Sequence, residues 1–194
     1  MLKRKITAGN VLYALMMVVV LVMLINPSAK SLLIRSLMKV GFFQPSIPVA
    51  VSKKPLADPF NISFRDNNGK TVNTADLKGK VIFVNFWATW CPPCIAEMPS
   101  VNELYAQFKN NPNVVFMIVD VDNDYKKANG FMQQHQYSLP MFTLTSEVPD
   151  DIMDGTIPTT LVFNKNGDLI YSHSGAADYS SSKFVNFLQA VSKL

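Results

Sequence analysis

The first 54 residues contain no aspartate or glutamate, and the whole chain of 194 residues holds two cysteines and two histidines. No internal repeat or low-complexity tract is visible in it. Each scarcity excludes something. A zinc centre takes about four ligands. Cys91 and Cys94 supply two, while His135 and His173 lie far from them and from each other without ligand-pair spacing, so no metal is expected. The missing acids leave residues 1–54 with a charge of +8, whereas residues 60–194 carry ten Lys/Arg against thirteen Asp/Glu, a charge of −3. The pI near 9.0 therefore belongs to the N-terminal segment. A nucleic-acid surface on the folded part is disfavoured. A hydrophobic content of 48% excludes global disorder and suffices for a packed core.

What the N-terminal segment does have is "MLKRKI" followed by fifteen uninterrupted apolar residues, Val11 to Ile25. Residues 1–5 read as a cytoplasmic basic end and 6–25 as a transmembrane signal-anchor, about 20 residues at ~1.5 Å each across a ~30 Å hydrocarbon core. The positive flank places the N-terminus in the cytoplasm and all that follows outside, on the periplasmic side of the cytoplasmic membrane. Cleavage after Ala29 would put Pro27 at the −3 position, a poor match to a signal-peptidase site, so an uncleaved single-pass anchor is expected. Residues 26–44 carry Leu33, Leu37 and Val40 at helical spacing with Arg35 and Lys39 between them. Two readings stay open: an amphipathic helix in the outer headgroup region, or a helical continuation packed on the soluble domain. Residues 45–59 are proline-rich without periodicity and read as an extended tether, leaving 60–194 as one domain.

In that domain "NISFRD" and "KTVNT" flank Asn68-Gly69, and "TTLVFN" and "DLIYSHSG" flank Asn166-Gly167, two hairpin signals. "KVIFVNFW" and "NVVFMIVDV" are continuous apolar runs, as in strands buried on both faces. Met98, Val101, Tyr105 and Phe108 follow helical spacing after the cysteines. "YKKANGFMQQHQ" reads as a further helix, and Ser180-Ser181-Ser182 as the cap of a last one bearing Phe184, Phe187, Leu188 and Val191. A parallel β-α-β unit followed by β-β-α implies a thioredoxin-like three-layer α/β/α sandwich with an N-terminal β-hairpin extension, preceded by one transmembrane helix.

"VNFWATWCPPCIAEMP" holds both thiols. A disulfide across three residues closes too small a loop to restrain the unfolded chain much. Redox chemistry needs this arrangement: Cys91 at a helix N-terminus gains thiolate character, and Cys94 one turn on can attack a mixed disulfide formed there. Pro92 and Pro93 suit a first helical turn, where their missing N–H groups have no helical partner anyway.

"NFWATWCPPC", the following "EMP" and "TIPTT" together resemble the membrane-anchored, extracytoplasmic thioredoxin-like proteins of the TlpA/ResA type, from about Phe60 to the end. The resemblance implies a thiol–disulfide oxidoreductase with Cys91 attacking and Cys94 resolving, and no cofactor beyond the Cys91–Cys94 disulfide. It implies a cis peptide before Pro158, with Ile157 offering backbone hydrogen bonds to substrate, so that Trp90, Pro92, Pro93, Ile157 and Pro158 face the substrate. Trp87 is left open between site and core. Pro99 is expected to kink its helix. Thioredoxins of the cytosol carry a buried Asp where this chain has Asn85, which cannot ionise; Glu97, matched in the ResA-type branch, is the candidate replacement as proton acceptor for Cys94.

The implied partners are protein disulfides and dithiols, the bilayer, and a membrane electron-donor protein, because compartments outside the cytoplasm are oxidising. A reductive role is expected, as in the resembling family, whose role includes the preparation of apocytochrome c thiols for haem attachment. Two rivals are a tethered binding or chaperone module without turnover, for which paired thiols are superfluous, and a peroxidase-like enzyme, which wants Thr at the position of Ala88. "DVDND" begins like a calcium loop, but Tyr125 and Phe131 replace the required Gly and Glu. "SEVPDDIMDG" reads as a polar loop or the edge of a substrate groove.

Overall fold

The computed structural model describes residues 8–45, 47, 61–149 and 152–194. The basic end at residues 1–5, the first two residues of the expected anchor, most of the expected tether, Phe60 and the Asp150-Asp151 pair lie outside the described residues. Two helices come first, α1 (Ala8–Ile25) and α2 (Pro27–Lys39). The domain then runs β1 (Ser63–Asp66), β2 (Thr71–Asn73), a 3-10 turn (Thr74–Leu77), β3 (Val81–Trp87), α3 (Pro92–Phe108), β4 (Val114–Asp120), α4 (Tyr125–Gln134), β5 (Met141–Leu144), β6 (Thr159–Phe163), β7 (Leu169–Ser174) and α5 (Ser182–Lys193).

The strands form one mixed sheet in the order β2-β1-β5-β4-β3-β6-β7. β3 is an inner strand beside the central β4, parallel to β4 and antiparallel to β6, and every one of its seven residues is buried. That is why its sequence is apolar without alternation. Its odd positions Val81, Phe83 and Trp87 pack with Met98, Val101 and Leu104 of α3, Met132 of α4 and Phe184 and Leu188 of α5. Its even positions Ile82, Val84 and Phe86 pack with Ile62, Phe64 and Phe142. This second face is closed by Leu77 of the 3-10 turn and by Val148, Ile152 and Met153 of the connection before β6. Among the described residues, then, α3, α4 and α5 all share one face of this thioredoxin-like α/β fold, and a short turn and a loop cover the other.

Both hairpin signals sit at turns where glycine takes a positive φ, 80° at Gly69 and 89° at Gly167, the left-handed region that an L side chain resists. The last helix begins at Ser182 after Ser181, but Ser181 makes no side-chain capping bond. The expected serine cap is therefore positional only.

The two N-terminal helices meet at 96°. Among the described residues no single helix is long and apolar enough to cross a membrane; taken together, the bent pair of α1 and α2 meets that test by length and composition. α2 packs against α3. Pro45 is buried and Ile47 packs on the domain core, so the described start of residues 45–59 lies on the domain instead of running free as a tether.

Candidate active site

β3 delivers the chain to the dithiol. After Trp87 the backbone turns through Ala88, Thr89 and Trp90, and Cys91 becomes the N-cap of α3. The Cys91 Sγ accepts the Cys94 N–H at 3.2 Å. Pro92 and Pro93 have no N–H to offer, so Cys94 supplies the amide that faces the sulfur. Cys91 and Cys94 form a disulfide with Cα atoms 5.2 Å apart. Cys91 is 3% exposed and Cys94 fully buried.

Opposite the disulfide runs the segment before β6. The Ile157–Pro158 peptide bond is cis, and the Ile157 carbonyl oxygen lies 3.9 Å from Cys91 Sγ. The Pro158 carbonyl accepts the Gly175 N–H at 2.8 Å, which ties this segment to the end of β7. Trp90 stands at the rim, 54% exposed, its indole Nε1 donating to Asp122 Oδ2 at 2.7 Å. Trp87 is different: it is fully buried, 5.1 Å from the ring of Phe131, and belongs to the core.

Behind Cys94 a polar cluster is sealed in the sheet–helix interface. Asn85 on β3 and Thr160 on β6 are direct cross-strand partners. The Asn85 Nδ2 donates to Glu97 Oε1 at 2.7 Å and to Thr160 Oγ1 at 2.9 Å. The Ala177 N–H donates to the other Glu97 oxygen at 3.2 Å. Glu97 is completely buried one turn beyond Cys94 in α3, and burial pushes its pKa up to about 8 against the opposing effect of those two donors. Tyr171 and Tyr179 border the cluster, and burial holds both phenols well above their ordinary range. A neutral carboxyl near pH 7 beside a dithiol can hold a proton in one redox state and return it in the other.

The structure thus brings Trp90, Cys91, Pro92, Pro93, Cys94, Ile157 and Pro158 to one place, with Glu97 buried one turn beyond Cys94 on the same helix. Sequence reasoning missed Thr160, the Ala177 amide and Asp122. One signal was available: Asn85 is a polar residue inside a seven-residue apolar strand, and a buried amide demands partners. Among the described residues no three His, Cys, Asp or Glu side chains are grouped to share a metal. The three aspartates of "DVDND" have separate tasks: Asp120 accepts the Asp124 amide, Asp122 holds Trp90, and Asp124 caps α4. The "SEVPDDIMDG" segment borders a groove of about 750 Å³ between Asn123, Leu144, Glu147, Val148, Met153 and Asp154, and neither cysteine lines it.

Comparison with known proteins agrees with this geometry. A family profile described as Redoxin matches residues 54–188. Over 152 residues the chain is 29% identical to the thiol-disulfide oxidoreductase ResA of Bacillus cereus, covering 78% of this chain and 84% of that one. ResA of Bacillus thuringiensis is 31% identical over 131 residues, 67% of this chain and 73% of the relative. The solved structure of StoA from Bacillus subtilis superposes with a TM-score of 0.52 at 21% identity, over 68% of this chain and 99% of that chain.

Proposed function

Because the chain belongs to the Redoxin family and is a thiol–disulfide oxidoreductase of the TlpA/ResA type, we propose that it works outside the cytoplasm as a membrane-tethered reductase of protein disulfides. The observation that carries this reading is the Cys91–Cys94 pair at the N-terminus of α3, facing Ile157 and cis-Pro158.

In the reduced enzyme the Cys91 thiolate attacks one sulfur of the substrate disulfide, forming a mixed disulfide and expelling a substrate thiolate. Cys94 then attacks Cys91 Sγ, forming the intramolecular disulfide and releasing the second substrate thiolate. Two electrons pass to the substrate, and a membrane electron donor restores them to the enzyme. Cys94 must lose its proton before it attacks. Glu97 accepts that proton: once the disulfide has formed, a carboxyl with a pKa of about 8 keeps it at neutral pH and can return it on re-reduction. Asn85 and the Ala177 amide hold Glu97 in place. Trp90 and the Ile157–Pro158 segment form the surface on which an extended substrate chain lies. Helix α1, apolar and exposed on all described faces, supplies the described part of the proposed anchor at residues 6–25. The resemblance to the TlpA/ResA type makes the disulfide of apocytochrome c the first substrate to test.

The experiment is a Cys94→Ala trap in membranes: substrates accumulate on Cys91 as mixed disulfides and identify themselves. Reduction of insulin disulfides by the wild-type chain is lost in Cys91→Ser; activity retained in that variant rejects the enzymatic reading. A reduction potential well above that of the glutathione pool rejects the reductive direction.

A further inference from the structure

Pro99 lies inside α3 and has no N–H. The carbonyl four residues before it, that of Ile95, is therefore deprived of its helical donor, and the proline ring pushes it away from the helix axis. This orphan sits one residue beyond Cys94. A buried carbonyl without a donor is costly, so its partner is informative. That partner is Arg35 of α2, sixty residues earlier, whose Nη2 donates to Ile95 O at 3.4 Å. The same guanidinium also lies against the Tyr137 hydroxyl.

Arg35 belongs to a face of α2. Ser31, Ile34, Arg35 and Met38 are the buried or half-buried positions, at the i, i+3, i+4, i+7 spacing of a helix stripe, and α2 packs on α3. Leu33, Leu37 and Val40 lie on the opposite side and are exposed, with Lys30 and Lys39 beside them. α1 joins α2 through Asn26 alone, and the Asn26 side chain caps α2 by accepting the Ser28 amide at 2.9 Å. The helices meet at 96°; with the anchor proposed above standing along the bilayer normal, α2 would lie in the plane of the surface. Leucine and valine on the side away from the domain then meet the acyl boundary, and the lysine stems can reach along it to place their ammonium groups among headgroups.

We propose that α2 is a two-faced seat for the enzyme: Leu33, Leu37 and Val40 enter the lipid surface, while Arg35 grips the Ile95 carbonyl that Pro99 leaves free. The inference rests on the tethering reading above. Under this proposal the two descriptions of residues 26–44 that the sequence left open would both apply, to opposite faces of one helix. The dithiol sits at a set height and orientation over the membrane instead of roaming at the end of a flexible leash.

The test uses the full chain with Cys91→Ser and Cys94→Ser, reconstituted in phosphatidylcholine–phosphatidylglycerol vesicles, with a fluorophore on a single introduced cysteine. With Val18→Cys and Leu37→Cys, nitroxide lipids are expected to quench both labels, the first by deep and the second by shallow nitroxides. Loss of quenching at both positions overturns the tether itself. Quenching at position 18 with a water-exposed label at position 37 leaves the tether standing and overturns the seat, because these vesicles hold no other protein to cover that face. The grip is read with a donor at Lys183→Cys and acceptor lipids. Arg35→Ala is expected to lose energy transfer as the domain lifts away. Pro99→Ala, which restores the helical donor to Ile95 and strengthens the helix, is expected to lose it equally, and the double variant no further. Far-UV circular dichroism and thermal unfolding confirm that each variant is folded. Additive losses, or a Pro99→Ala chain that stays seated, overturn the role given to Arg35.

Discussion

Replacing Glu97 by Gln tests the buried carboxyl through stability, independently of turnover. In the oxidised protein the two cysteines are tied in a disulfide and do not titrate. The folded pKa of Glu97, about 8, lies above its ordinary 4.5, so between these values the folded state binds more protons than the unfolded state. Stability must then fall as pH rises through this window, with a slope of at most about 1.4 kcal/mol per pH unit. The interval of 3.5 units corresponds to roughly 5 kcal/mol in all, complete only above pH 8. Glutamine has no such decline. It keeps an oxygen for Asn85 but turns an amide donor toward the Ala177 N–H, a mismatch that costs about 1–3 kcal/mol at every pH. Glu97→Gln is therefore expected to be less stable than the wild type at pH 4.5 and more stable at pH 8, with the curves crossing between about pH 5 and 7. The assay is urea unfolding of both oxidised proteins across that range. His173, whose pKa burial lowers, makes stability rise with pH, and Asp120, raised by burial, acts in the same sense as Glu97. Both are present in each protein, so the difference curve isolates Glu97. A difference that stays flat from pH 4.5 to 8 refutes the raised pKa and with it the proton-holding role.

Pro93→Ala adds an N–H at the second helical position beside Cys91 Sγ. One more charge-assisted bond of about 1.5 kcal/mol or more lowers the thiolate pKa by about one unit and raises the reduction potential by about 30 mV, read by equilibration with glutathione. Trp90→Ala removes an exposed ring at the rim; KM for a protein disulfide is expected to rise about tenfold while unfolding changes by less than about 0.5 kcal/mol. An unchanged KM removes Trp90 from the substrate surface. Asn85→Asp sets a second carboxyl against Glu97 where a donor now stands at 2.7 Å. Two carboxyls so close cannot both ionise, so the loss of stability is expected to be small at pH 5 and about 3–5 kcal/mol at pH 8, and an equal loss at both pH values contradicts the arrangement.

The apolar runs of β3 and β4 and the two Asn-Gly turns were readable because each is a local pattern with a single physical explanation. β5 was not. Its four residues, Met141 to Leu144, acquire strand character only from pairing with β4 on one side and β1 on the other. The dithiol was legible from spacing and prolines alone. The polar cluster behind it was half legible: Asn85 and Glu97 were each singled out, one as the place of a missing group and the other as its replacement. The structure joins them by a hydrogen bond between strand and helix. Thr160 and the Ala177 amide come from distant segments whose approach depends on the finished sheet. Pro99 inside its helix was visible in the sequence, but a carbonyl freed by proline names no partner, and Arg35 arrives from a helix outside the domain.

If the enzyme reduces protein disulfides outside the cytoplasm, as proposed, the depth of its first cysteine has a consequence for which proteins it serves. With 3% of Cys91 reachable between Trp90 and the Ile157 carbonyl, a disulfide gains access only if its chain can leave its own fold and lie along that seam. Finished secreted proteins, whose bridges are packed inside, are slow to present one. Nascent, misfolded or unstructured chains present theirs at once. Selection is then exercised by the client's own opening rate, and the enzyme can discriminate between mature and immature proteins without recognising the sequence of either.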